Sequence, residues 1–102
     1  MLVSGLYDLL PVRLSARNAY TKLDERLEDE LSPIRHITRI RCPVTVAWAE
    51  KDSDEFRRQS KEFAEKLKAN NFEVENVNHF EIVETLADPA SPLCRAALTM
   101  LR

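Results

Sequence analysis

The chain has 102 residues, enough for one small domain with a modest core. Its net charge of -2 at neutral pH is spread along the chain with both signs mixed, which gives no electrostatic footing for nucleic acid or an anionic membrane. It has a single glycine, and a Gly-rich phosphate loop, a dinucleotide fingerprint and a G-x-S-x-G nucleophile elbow each need at least two, so this chain holds none of them.

Other features narrow the class further. No apolar run approaches the length of a membrane span. The apolar start, Met1 to Leu10, has no cationic region before it and makes a poor signal peptide. Cys42 and Cys94 are too few and too far apart for a zinc motif or a disulfide framework. They read as reduced, packing thiols, and the expected location is cytoplasmic. Two histidines and two cysteines, widely scattered, make no ligand set, so neither a metal nor an organic cofactor is expected.

In chain order, Leu2 to Ser4 is a short apolar stretch with strand character, punctuated by Gly5. Tyr7 to Pro11 reads as a turn or short helical segment that the proline ends. Tyr20, Leu23, Leu27 and Leu31 fall on one helical face, and Asp24 is placed to cap a helix that runs to Leu31 and stops at Ser32-Pro33. A connector with Ile34, Ile37 and Ile40 leads through Pro43 into Val44–Ala49. This β-branched and aromatic run predicts a buried central strand. The acidic turn Glu50 to Asp54 follows. Then Phe56, Ser60, Phe63 and Leu67 recur at helical spacing, and Asn70-Asn71 reads as the stop signal.

Phe72 to Val77 alternates apolar with polar, mostly acidic, residues, as an edge strand with one buried face does. Phe80, Val83 and Leu86 suggest the apolar face of a short helix. Asp88-Pro89-Ala90 breaks it. Ser91-Pro92 then opens a last helix with Leu93, Ala96, Ala97, Met100 and Leu101 on its apolar side. Strands separated by helices predict an α/β fold with a parallel sheet.

Two polar residues follow strand ends: Asp52 after the central strand and His79 after the edge strand. One strand–helix–strand unit separates them, so parallel pairing of the strands brings both to the same rim of the sheet, where α/β proteins place their chemistry. An aspartate that orients a histidine, which then works as a general base, makes two thirds of a nucleophilic triad. The competing reading is local: an aspartate after a strand also caps helices, with Ser53 and Asp54 as rivals for that place, and a lone histidine before a helix also sits at the surface or caps. His36 lies in the connector with no acidic residue at a useful spacing. Ser4, Ser15, Ser32, Ser53, Ser60 and Ser91 have no elbow around them.

Beyond these local patterns, SGLYDLLPV at Ser4 to Val12, LSPIRHI at Leu31 to Ile37, CPVTVAWAEKDSDEFRRQSKEFAEKL from Cys42 and NHFEIVETLADPASPL at Asn78 to Leu93 together resemble the C-terminal third of an α/β-hydrolase. The nearest branch is that of arylformamidases (kynurenine formamidases) and carboxylesterases. The last of these stretches is the most specific. The resemblance implies about three parallel strands with flanking helices. It also implies one partial α/β-hydrolase domain over residues 1–102, with Asp52 matching the family's catalytic acid and His79 its catalytic histidine. The family's nucleophilic serine and oxyanion loop lie in the earlier part of that fold. The chain also departs from the family in lacking glycine over Ala47 to Lys51 and a proline–glycine turn before the histidine, where Glu75 to Val77 gives a shorter approach.

The implied function is the acid-and-base portion of a Ser-His-Asp esterase- or formamidase-type acyl hydrolase, inactive alone and acting on a small ester or amide once complemented. The alternative is a non-catalytic oligomerisation or binding module descended from such a hydrolase. Expected partners are a second copy or a complementing N-terminal hydrolase chain.

Overall fold

The computed structural model describes all 102 residues, Met1 to Arg102. The chain divides into two compact units, one formed by Met1–Gly5 with Cys42–Arg102 and the other by Leu6–Arg41.

The first unit holds the sheet. Strand β1 is Leu2–Val3, β2 is Thr45–Ala49 and β3 is Asn70–Val74, and they pair in the order β1-β2-β3 with every pairing parallel. Leu2 stands opposite Val46, Thr45 opposite Asn70 and Ala49 opposite Val74. The three-stranded parallel α/β arrangement expected from the residue pattern is therefore present. All five residues of β2 are buried. That is the reason this strand reads as a continuous apolar run: a central parallel strand has both faces covered and no need to alternate.

Helix α4, Asp54–Leu67, lies on β2 and β3 with Gln59, Ser60, Phe63 and Ala64 buried. Its outer face carries Arg57–Asp54, Arg58–Glu55, Arg58–Glu62 and Lys66–Glu62 pairs. Each adds a few tenths of a kcal/mol at helical spacing. The helix ends at Lys68, in the left-handed region with φ 55°. Asn70 and Asn71, expected as the stop signal, are instead the first residues of β3. The left-handed lysine already breaks the helical ladder, so the asparagines are free to extend.

After β3 come α5 (Glu81–Glu84), a 3₁₀ turn (Thr85–Ala87) and α6 (Pro92–Met100). Ala47, Ala49, Val74, Ile82 and Leu93 form the core, with Met1, Val3, Phe72 and Val77 packed against it. The Ser91 side chain accepts from Cys94 N–H at 3.1 Å, so the expected cap of α6 forms. The expected face of α5 does not: Phe80, Val83 and Leu86 are all exposed and Ile82 is buried. One helical turn passes directly into a 3₁₀ turn of tighter pitch, so a face extrapolated at 3.6 residues per turn goes astray.

In the second unit, α1 is Leu10–Arg13, α2 is Asn18–Thr21, α3 is Glu25–Leu31, and a kinked 3₁₀ stretch runs over Pro33–Arg39. Pro11 begins a helix rather than ending one, as a proline in the first turn has no intrahelical N–H to lose. Asp24 caps α3 by accepting from Leu27 N–H at 2.8 Å, as the sequence predicts. The face of that helix differs. Tyr20 and Leu31 are exposed, and the buried residue is Glu28. Arg13 donates to it at 2.5 Å and Arg35 donates to its other oxygen, so the buried charge is doubly paired. These two hydrogen bonds, that from Arg13 foremost, hold the Glu28 carboxyl below its ordinary range.

Candidate functional site

Asp52 follows β2 in a tight turn, its N–H donating to Ala49 O at 3.1 Å. The turn folds the carboxylate back under the end of the strand, where its side chain has no exposed surface. Oδ2 accepts from Ala49 N–H at 2.8 Å and from the Ser4 hydroxyl at 2.6 Å. Oδ1 lies 2.7 Å from His79 Nδ1. A buried carboxylate survives only where its oxygens are occupied by donors, and here both are.

His79 reaches Asp52 across the shortened approach because the segment after β3 stays tied to the turn after β2. Glu50 N–H donates to Val74 O and Lys51 N–H to Val77 O, both at 3.0 Å. Between them Asn76 turns the chain at φ 62°, and its N–H donates to Glu50 Oε1 at 3.0 Å. Asparagine tolerates the left-handed region better than most residues.

Neither residue caps the helix that follows it. The Asp52 carboxylate accepts from Ala49, Ser4 and His79 and from nothing in α4; the residue preceding that helix is Ser53, whose side chain makes no capping bond. Asn78, not His79, closes the start of the α5 region. Its side chain accepts from Glu81 N–H at 2.8 Å, while Glu81 Oε1 accepts from Asn78 N–H at 3.0 Å. That reciprocal pair is a capping box. It leaves the imidazole of His79 unused by secondary structure.

The ring is held between aromatic neighbours. Phe56 of α4 lies with its centroid 4.4 Å from that of His79, tilted by 38°, and Phe80 meets it edge-on at 5.4 Å. The side chain keeps 37% of its surface exposed, against none for Asp52. The carboxylate can only accept, so Nδ1 carries the proton. Nε2 is then the acceptor nitrogen, on the opposite side of the ring from Asp52. This arrangement can take a proton from an approaching hydroxyl at Nε2 and stabilise the resulting imidazolium through Asp52.

No nucleophile elbow surrounds Ser4, so its local sequence does not single it out. It is buried, follows the end of β1, and stands at φ 47° with its N–H on Ala47 O at 2.8 Å. A left-handed non-glycine residue costs about 1–2 kcal/mol. The signal that finds it is topological: in a parallel sheet the segments leaving the strand ends lie at the same rim, and Ser4, Asp52 and His79 stand one, three and five residues past the ends of β1, β2 and β3. Phe56 has no local signal beyond its place on a helical face.

No serine hydroxyl hydrogen-bonds the imidazole, whose polar partner is Asp52. Ser91 caps α6, Ser32 accepts from Leu9 N–H at 2.9 Å, and Ser60 is buried with its hydroxyl unpartnered. His36 Nε2 lies 2.8 Å from the Asp29 carbonyl oxygen, a surface contact with backbone rather than with a carboxylate. Cys42 and Cys94 are free thiols.

The residues around this rim lie within a longer likeness. Over 110 aligned residues the chain is 34% identical to a kynurenine formamidase of Danio rerio, and the match takes in 98% of this chain and 38% of that protein. The corresponding protein of Salmo salar is 35% identical over 111 residues, again with 98% of this chain and 38% of the relative. The chain resembles part of an arylformamidase-like α/β-hydrolase. It spans about 38% of the length of the kynurenine formamidases it matches. No family model matches the chain. No solved structure matches it either. The likeness agrees with the sheet: three parallel strands in one layer with helices flanking them, as an α/β-hydrolase piece requires.

Proposed function

We propose that this chain supplies the acid and base of a Ser-His-Asp acyl hydrolase of the esterase or arylformamidase type, with a small ester or amide as substrate. Asp52 orients His79 and compensates its positive charge. His79 Nε2 takes the proton from a serine hydroxyl as that oxygen attacks the acyl carbon, then returns it to the leaving group. The serine comes from a hydrolase segment outside this chain, which holds no G-x-S-x-G elbow. The observation that carries the reading is the 2.7 Å contact between a wholly buried carboxylate and a half-exposed imidazole that caps nothing. We read residues 1–102 as one partial hydrolase domain, with Leu6–Arg41 inserted between its first two strands, and place it in the cytoplasm with both thiols reduced. No helix is long and apolar enough to cross a membrane.

The test is hydrolysis of p-nitrophenyl acetate by the purified chain, alone and co-expressed with the elbow-bearing N-terminal part of a kynurenine formamidase. The expected result is no turnover alone, turnover in the co-expressed complex, and a loss of roughly 10³-fold or more in that complex on His79→Ala. Turnover by the isolated chain that vanishes in His79→Ala would show that it carries its own nucleophile and overturn the division of labour. A complex whose activity ignores His79→Ala would overturn the assignment of the base.

A second reading, as a non-catalytic assembly module, is favoured by one specific observation. Phe80, Val83, Leu86, Leu98 and Leu101 expose apolar side chains on the C-terminal helical segments, and β1 is an edge strand. Under either reading the chain works in association, with a second copy or with the complementing hydrolase chain.

A further inference from the structure

We propose that Ser4 is the positioning residue of the Asp52–His79 pair: its hydroxyl, donated to Asp52 Oδ2, turns the carboxylate so that Oδ1 faces His79 Nδ1. The inference rests on reading that pair as an acid and its base. A carboxylate at the end of a short side chain can rotate about its terminal bond and present either oxygen, or both, to an imidazole. Two donors on one oxygen remove that freedom. Ala49 N–H supplies one at 2.8 Å and the Ser4 hydroxyl the other at 2.6 Å, which leaves Oδ1 as the oxygen open to His79.

The backbone at Ser4 fits a residue held for its side chain. It is a left-handed non-glycine residue at a strand end, in a chain whose single glycine is the next residue. If only the turn mattered, glycine at this position would make it without the steric cost. Instead the site carries a hydroxyl, buried and aimed at the carboxylate, with its backbone N–H locked on Ala47 O of the central strand. Backbone strain that persists because its surroundings over-determine it clusters at functional sites. The hydroxyl is engaged by Asp52, not by His79, so Ser4 is not the nucleophile. It acts through the aspartate.

The experiment uses the full chain labelled with ¹⁵N-histidine. The imidazole nitrogen shifts report which tautomer His79 holds, and His36, whose ring contacts a carbonyl elsewhere, serves as an internal reference. In the wild type, His79 shows the Nδ1–H tautomer with a downfield Nδ1 proton. Ser4→Ala and Ser4→Gly both delete the hydroxyl. The first keeps the side-chain strain of a left-handed residue and the second relieves it, so a shared change belongs to the lost hydrogen bond and not to the backbone.

The expected result is a drop of about tenfold in the ratio of Nδ1–H to Nε2–H tautomer in both variants, with loss of the downfield proton, while the Trp48 fluorescence of the folded chain is kept. Wild-type tautomer ratios in either folded variant overturn the proposal and leave the pair intact. A wild-type chain that already holds the Nε2–H tautomer overturns the reading of the pair itself. In the complemented hydrolase, Ser4→Gly should lower kcat with little change in KM, and a change confined to KM counts against a positioning role.

Discussion

At Asp52 one side chain serves three donors, which separates its structural weight from its chemical role. Asp52→Ala removes the acceptor of His79 Nδ1 and also strands two buried donors, the Ala49 amide and the Ser4 hydroxyl. Each stranded group costs about 1–3 kcal/mol, so the variant should lose roughly 2–6 kcal/mol of stability in urea unfolding. His79→Ala removes a half-exposed ring from the same contact and should cost far less, about 1 kcal/mol. The pair thus has one member bound into the fold and one member partly open to solvent. If Asp52→Ala unfolds at the same urea concentration as the parent chain, the carboxylate is not bonded as described.

The helices differ in how much of their sequence they need. In α6, Leu93 is fully buried in the core while Leu101, just past its end, is exposed. Leu93→Ala should therefore cost about 2–5 kcal/mol and Leu101→Ala less than about 0.5, although residue spacing alone puts both on the apolar side. Equal effects would mean that the face of α6 is wrongly placed. In the Leu6–Arg41 unit the inward position of α3 is taken by a charge. The Arg13 and Arg35 hydrogen bonds depress the Glu28 carboxyl, so the stabilisation from this group is complete above the ordinary glutamate value of about 4.3 and is lost as pH falls through the lower folded value. Protection of the backbone amides in Leu6–Arg41, with the intrinsic slowing of exchange in acid divided out, should fall as acid is added in that range. Glu28→Gln should flatten the dependence, and an unchanged acid profile would show that the pair contributes nothing.

At the scale of the whole molecule, the free side of β1 and the exposed apolar residues of the C-terminal segments bear on association. A strand edge with unpaired backbone groups accepts another strand, and clustered apolar side chains gain from being covered. Sedimentation of the purified chain at micromolar concentration should show a species heavier than the monomer, and Phe80→Asp with Val83→Asp should shift it toward the monomer. A single sharp monomer boundary for the parent chain would count against both the second copy and the edge as its means of pairing.

Residue order alone was sufficient for the parallel α/β class, the buried central strand, the long helix after it, the caps at Asp24 and Ser91, and the placement of Asp52 and His79 one strand–helix–strand unit apart. These are local signals, carried by periodicity and turn chemistry within a few residues of the element they define. The remainder depended on groups far apart in the chain. Ser4 and Asp52 meet because β1 and β2 pair in parallel, and no pattern around either residue records the other. Glu28 turns inward because two arginines from different segments satisfy it, against the ranking that puts leucine inside. His79 spans its shortened approach through a left-handed Asn76 and the ties from Glu50 and Lys51, which exist only once β2 and β3 lie side by side. Hydrogen bonds between distant residues are decided by how the strands register, and register is a property of the folded chain.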